Sequence, residues 1–172
     1  IVNTDSLWKG PLAYHPDFTT GLDALRCEGP SGPTRCELFM NETLYRRVLT
    51  EAQEETIELS GITSFNLLNV FGYLNMGYDY ATVRASDFAF SAGTRKRDKT
   101  LSLNEGMVIT DRASFEAYPW PVVSDHSFEE LEQLASYMPD GMKLIPIGPG
   151  GVLENVITPT GYDNLCVMIY DD

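Results

Sequence analysis

Positive charge is scarce in this chain: 12 Lys and Arg stand against 25 Asp and Glu, for a formal net charge of −13. Nucleic-acid recognition needs clustered cations to meet phosphates, so that class of partner is excluded. The surplus of carboxylates reads as a solubility feature. Histidine and cysteine are also scarce. Cys27, Cys36 and Cys166 are odd in number, scattered and without zinc-like spacing. His15 and His126 stand in loops with no cysteine or carboxylate at ligand spacing, and each reads as an ordinary surface histidine. No HExxH, HxC…C or GxSxG pattern occurs, so no complete catalytic set is visible. No apolar run approaches the ~20 residues of a membrane-spanning helix, and the N-terminus does not resemble a signal peptide. These absences point to a cytoplasmic, reduced protein with no membrane and no nucleic acid among its partners. The first residue is Ile1 rather than Met, which reads as a start inside a longer gene product.

What is present suits a folded domain. Apolar residues make up 43% and aromatic residues 11% of 172, enough for one real core. Asp17 is placed to cap a short helix with Phe18, Leu22 and Leu25 on one face, stopped by Gly29-Pro30. Thr34–Met40 reads as a strand, and Asn41 as the N-cap of a helix bearing Leu44, Tyr45, Val48, Leu49 and Ala52. Glu51, Glu54, Glu55 and Glu58 trail from it as a solvated face. Ile62–Met76 reads as an amphipathic helix with Gly77 beyond its C-terminus, followed by a strand near 79–84. Residues 87–109 read as an inserted hairpin with a basic tip at Arg95–Lys99, either solvated or an anion-contacting flap. Thr110-Asp111 caps a turn containing Phe115, which Tyr118-Pro119-Trp120-Pro121 breaks. Ser127 and Glu130 have capping-box spacing before a helix carrying Phe128, Leu131, Leu134, Ala135 and Met138. Met142–Ile147 then reads as a buried strand feeding the turn Gly148-Pro149-Gly150-Gly151 and a helix from Val152. Strands separated by helical crossovers predict an α/β fold with parallel pairing of core strands near 35–40, 79–84 and 142–147.

Parallel α/β folds place chemistry at the carboxyl ends of strands. Candidate ligand-binding residues are therefore Asn41 and Glu42 after the first strand, Arg84 at the end of the second, and Gly150, Gly151, Glu154 and Asn155 after the third. Arg84 suits a carboxylate, or is a surface cation beside the insertion. Asn41 suits a ligand or simply a cap. Gly150-Gly151 either lets a ligand approach the backbone or allows tight strand–helix packing; the run does not match GxGxxG.

The stretch from Thr110 to Asp172, with TDRASFEAYPWP and GPGGVLENVITPTGYDNLCVMIYDD, resembles the uroporphyrinogen decarboxylase-like superfamily. The resemblance is nearest to its cobalamin-dependent methyltransferases, of the methylcobalamin:coenzyme M type. DFTTGLDALRCEGP, TRCELFMNE and FGYLNMGYDYATV are similar to earlier parts of that domain, so the likeness runs from about Asp17 to Asp172. The resemblance implies the N-terminal portion of one (β/α)8 TIM barrel over 1–172, with 1–33 as N-terminal extension and opening helix and 87–109 as the hairpin insertion. About three of the eight strands would be present, and exposed barrel edges would favour self-association. It also places Leu165–Tyr170, strand-like by composition, in a helix. Asp87 falls near the aspartate that the decarboxylases use for catalysis. Their substrate-gripping arginine is not matched at Met40-Asn41-Glu42, nor their tyrosine at Glu154-Asn155-Val156, which argues against porphyrinogen decarboxylation. The implied whole protein is a methyltransferase moving a methyl group between a cobalamin and a thiol or similar acceptor, with a small molecule or a corrinoid protein as substrate. Alternatives are a uroporphyrinogen decarboxylase and a non-enzymatic tetrapyrrole- or partner-binding relative. Zinc and cobalamin are implied for the methyltransferase. The family's zinc ligands lie in the second half of the barrel, so this chain alone is expected to hold no metal or cofactor and to be inactive.

Overall fold

The computed structural model describes residues 14–30, 32–94 and 102–171, excepting the side chains of Ser64 and Asp171. Trp8, Leu12 and the basic tip Arg95–Lys99 lie outside the described residues. The protein is mixed α/β and mostly helical, with a small parallel sheet. Along the chain come α1 (Thr19–Arg26), α2 (Glu42–Val48), α3 (Glu51–Leu59), α4 (Ser64–Asn75), β1 (Tyr80–Arg84), α5 (Arg112–Ala117), α6 (Glu129–Ala135), β2 (Lys143–Ile147), α7 (Val152–Thr160) and α8 (Tyr162–Asp171). The chain packs as two units. The first takes the residues up to Ser86 together with Phe128–Ile147, and the second takes Asp87–Ser127 together with Gly148–Asp172.

In the first unit, β1 and β2 pair in parallel from Tyr80 opposite Lys143 to Arg84 opposite Ile147. The ladder is prolonged at both ends by Lys143 N–H to Asp79 O at 3.1 Å and Ala85 N–H to Ile147 O at 2.9 Å. α4 packs on β1 and on α2, and Leu67, Val70, Phe71, Tyr73, Ala81, Val83 and Leu134 are fully buried in one core cluster. Gly77, at φ +77°, closes α4: its N–H reaches Leu74 O and that of Tyr78 reaches Tyr73 O. This pair of bonds satisfies carbonyls that the helix end would leave open, at a backbone angle suited to glycine. Asn41 caps α2 as read from the sequence, its side chain accepting from Thr43 N–H at 2.8 Å. The helix expected from Asn41 through the glutamates is two helices. It breaks at Leu49, and Thr50 restarts it with a reciprocal capping box to Gln53.

Three further expectations are corrected. Thr34–Met40 is irregular rather than a strand. Its backbone groups are satisfied by side-chain hydroxyls instead of a ladder. Tyr73 Oη donates toward Glu37 O and Leu38 O, Tyr80 Oη toward Glu37 O, and Thr82 Oγ1 toward Leu38 O, while Met40 N–H donates to Tyr45 Oη. The strand at 142–147 forms, but only Met142 is buried. Ile145 is 37% exposed, and Lys143 and Pro146 are exposed too, because β2 has a paired neighbour on one side only among the described residues. The N-cap residue of α6 is Phe128 rather than Ser127, and Glu130, expected in a capping box, faces α4, accepting from Thr63 Oγ1 and from Asn66 Nδ2 at 2.7 Å each.

The second unit has no strand among its described residues. The arms of the expected hairpin, 87–94 and 102–109, are irregular and are joined by Gly93 N–H to Gly106 O at 2.8 Å. Pro159 lies inside α7, and its carbonyl accepts from Val108 and Ile109 N–H at 2.7 and 3.0 Å. Asn164 of α8 donates to Ile109 O at 3.1 Å. Leu165–Tyr170 is helical, as the family resemblance implies and composition does not. Among the described residues no helix is long and apolar enough to cross a membrane.

Candidate functional site

The second unit is built from the two segments that leave β1 and β2 at their carboxyl ends. It forms a half-open pocket of about 330 Å³. One wall is a single face of α7: Val152, Asn155, Val156, Pro159 and Thr160 recur at helical spacing, with Gly150 just before them. The opposite walls are Phe90, Ile109, Phe115 and Trp120.

Local chemistry explains why these aromatic rings stand where they do. Asp111 caps α5, accepting from Ser114 N–H at 2.8 Å, and this contact holds its carboxyl below the usual range. Phe115 is thereby fixed on a short helix, which Pro119 cannot continue. The chain turns there, and Trp120 N–H meets Tyr118 O at 2.9 Å. Tyr118 is buried and its hydroxyl donates to Ser91 O at 2.7 Å, which fastens the turn to the Phe90 segment. Burial raises the Tyr118 hydroxyl pKa. The indole of Trp120 then lies 5.1 Å from the Phe115 ring at 65° and 6.4 Å from the Phe90 ring at 80°. Its Nε1–H points to Phe115 O at 3.4 Å.

The donors of the polar liners are already engaged. Asn155 Nδ2 donates to Gly150 O at 3.2 Å and Thr160 Oγ1 to Val156 O at 2.7 Å. Among the described residues no charged side chain lines the cavity.

Two of the eight sequence candidates, Gly150 and Asn155, belong to this cavity. Gly150 sits at φ +109°, and a Cβ there would meet nothing closer than Glu154 Cβ at 3.8 Å. The glycine is therefore needed for backbone conformation rather than for close packing. Gly151 is the N-cap residue of α7, and the Glu154 carboxylate folds back over it. The helix N-terminus, an attractive place for an anion, is thus already faced by a carboxylate.

The remaining candidates have other local roles. Asn41 is a cap, and Glu42 pairs with Arg46 one turn on at 2.9 Å. Arg84 lies with its guanidinium 4.6 Å from the Phe65 ring centroid. Its backbone N–H and carbonyl are both held by the Asn66 amide, at 2.7 and 3.1 Å.

Asp87 is exposed, and its carboxylate meets His126 Nδ1 at 2.6 Å. The histidine read as partnerless therefore has a carboxylate partner 39 residues away in sequence. The contact holds the Asp87 carboxyl below its ordinary range. The Phe88 ring stands edge-on to the imidazole at 5.1 Å.

Zinc chemistry of the kind implied by the resemblance does not fit the described residues. Among them no three His, Cys, Asp or Glu side chains come together, and the three cysteines are exposed and free. The cavity is also far smaller than a corrinoid macrocycle with its side chains. No family model, no curated protein sequence and no solved structure matches this chain.

Proposed function

We propose that the chain is part of a uroporphyrinogen decarboxylase-like (β/α)8 barrel and supplies the small-molecule pocket of a corrinoid-dependent methyltransferase. The pocket would take the small methyl-bearing partner, with the corrinoid as the other substrate. The observation that carries this reading is the apolar, aromatic-walled cavity formed by segments that follow β1 and β2. Its position in the chain is where parallel α/β folds put ligands, and 330 Å³ is ample for a small molecule.

The same cavity speaks against the decarboxylase alternative. A porphyrinogen carries many carboxylates and needs cations to hold them, whereas the described walls carry none. Asp87 is turned to His126 and is not among the cavity liners. No metal-dependent step is assigned to the residues of this chain.

The test is methyl transfer in the full-length protein, followed by the visible spectrum of the cobalamin and by the mass of the methylated thiol. Transfer that falls at least about tenfold in Trp120→Ala with unchanged circular dichroism supports the reading. Absence of transfer, with coproporphyrin or uroporphyrin bound instead, overturns it.

A further inference from the structure

The methyl-transfer reading leaves the chemical class of the small partner open, and the cavity narrows it. Its polar liners, Asn155 and Thr160, already donate to backbone carbonyls within α7 and its preceding turn. A ligand with carbonyl or carboxylate oxygens at its buried end would compete for donors that are already engaged, at a cost. Recognition by this cavity therefore rests mainly on size, apolar contact and the aromatic faces.

The rings of Phe90 and Phe115 stand steeply to the indole of Trp120, at 80° and 65°, and so wall the space from different directions. Phe115 and Trp120 remain 43% and 46% exposed, which leaves aromatic surface free for a guest. A fully methylated onium group has no acceptor that needs a donor, has an apolar surface and is drawn to aromatic faces by their negative quadrupole.

The Arg112 guanidinium lies 5.9 Å from the Phe115 ring centroid and is paired with Glu116 at 2.7 Å, so a cation borders that ring with its charge countered. Among the described residues no cationic side chain lines the cavity itself. The positive N-terminus of α7, which would oppose a cation, is faced by the Glu154 carboxylate folded over Gly151. The chain as a whole carries a formal charge of −13, which raises the local concentration of a cationic solute.

We propose that the cavity walled by Phe90, Phe115 and Trp120 binds the methylated onium head of a small quaternary ammonium or sulfonium compound. This deepens the methyl-transfer reading, since such a group is methyl-bearing, but the binding claim stands on the geometry alone.

Choline and its neutral isostere 3,3-dimethylbutan-1-ol separate charge from shape, and titration calorimetry on the full-length protein reads both. Choline should bind at least about tenfold tighter than the neutral alcohol. Trp120→Leu keeps an apolar wall but removes a π face; it should abolish that preference, and Trp120→Phe should restore most of it. Circular dichroism confirms that each variant is folded. Equal binding of the two probes, tighter binding of the alcohol, no binding of either, or a preference that survives in Trp120→Leu overturns the proposal. Methyl transfer is scored separately. Choline binding without transfer would retire the methyltransferase reading and keep this one. Transfer with no onium preference would do the reverse.

Discussion

The two units use aromatic residues in opposite ways. In the first, Tyr45, Phe71 and Tyr73 are at most 2% exposed. Both hydroxyls in that cluster are hydrogen-bonded. Tyr45 Oη accepts from Met40 N–H, and Tyr73 Oη lies 2.9 Å from Thr82 Oγ1 while facing the carbonyls of 37 and 38. Burial pushes the Tyr73 hydroxyl well above its ordinary pKa. In the second unit, Phe115 and Trp120 stay nearly half exposed around a hollow. The same residue type builds a core where contacts close on all sides and lines an open pocket where they do not. The distinction therefore rests on what surrounds each ring.

Truncation breaks this comparison most directly. Phe71→Ala should destabilise the protein by about 3–5 kcal/mol, since a fully buried ring leaves a cavity. Phe115→Ala should cost about 1 kcal/mol or less, because the ring is already 43% exposed. Urea unfolding midpoints decide between them. Equal losses would mean that the second unit's rings are structural.

Two glycines give the next contrast. Gly141, in the first unit, has φ +86°, and a Cβ there would run into the Pro16 carbonyl. Backbone strain and overpacking together predict a loss of about 3 kcal/mol for Gly141→Ala. Gly150, in the second, has φ +109° but open space, so Gly150→Ala should show strain alone, about 1–2 kcal/mol. Thermal melts of the two variants test the order.

Capping boxes supply a smaller pair. Thr50 caps α3 with Gln53, which is fully buried and exchanges amide hydrogen bonds with Asn75. Thr50→Ala should cost about 1–2 kcal/mol. Asp111→Ala, at the exposed cap of α5, should cost less than Thr50→Ala and should loosen Phe115, which hydrogen exchange along α5 would report.

How much of this was legible follows from the range of the interactions. The caps at Asn41 and Asp111 and the stop at Gly77 rest on neighbours within a few residues, and the strands near 80 and 143, though paired with each other at long range, carry a local strand composition; the sequence displays all of these. The break at Leu49-Thr50 was hidden because the apolar spacing continues across it, although Thr50-x-x-Gln53 was a readable signal. The segment 34–40 has a strand's composition, but hydroxyls from Tyr73, Tyr80 and Thr82, about 40 residues away, take its carbonyls. The cavity was half legible. The helix from Val152 and the YPWP break were seen, and the α7 face was there to be read from 152, 155, 156, 159 and 160. What brings Phe90 to Trp120 is a contact that no periodicity encodes. Of the residues chosen by closeness to a strand end, Asn41 and Glu42 have local partners within their own helix turn, a contact that spacing alone displays.

The smallest expected effect concerns Asp87 and His126, which the sequence separates and the fold joins. Because Asp87 is exposed, its contact with His126 should hardly move the global unfolding midpoint at neutral pH. The sign of its pH dependence is nevertheless fixed. The folded-state pKa is depressed, first through the hydrogen bond to His126, so the contact favours the folded form above the usual carboxylate pKa of about 4. That contribution is lost as pH falls through the depressed value. Carbon-detected titration of the Asp87 carboxyl should show a midpoint below the ordinary range in the parent, returning upward in His126→Ala. An Asp87 titration unchanged by His126→Ala would show that the pair is a chance contact between exposed groups, and would leave the cavity as the second unit's sole candidate for chemistry among the described residues.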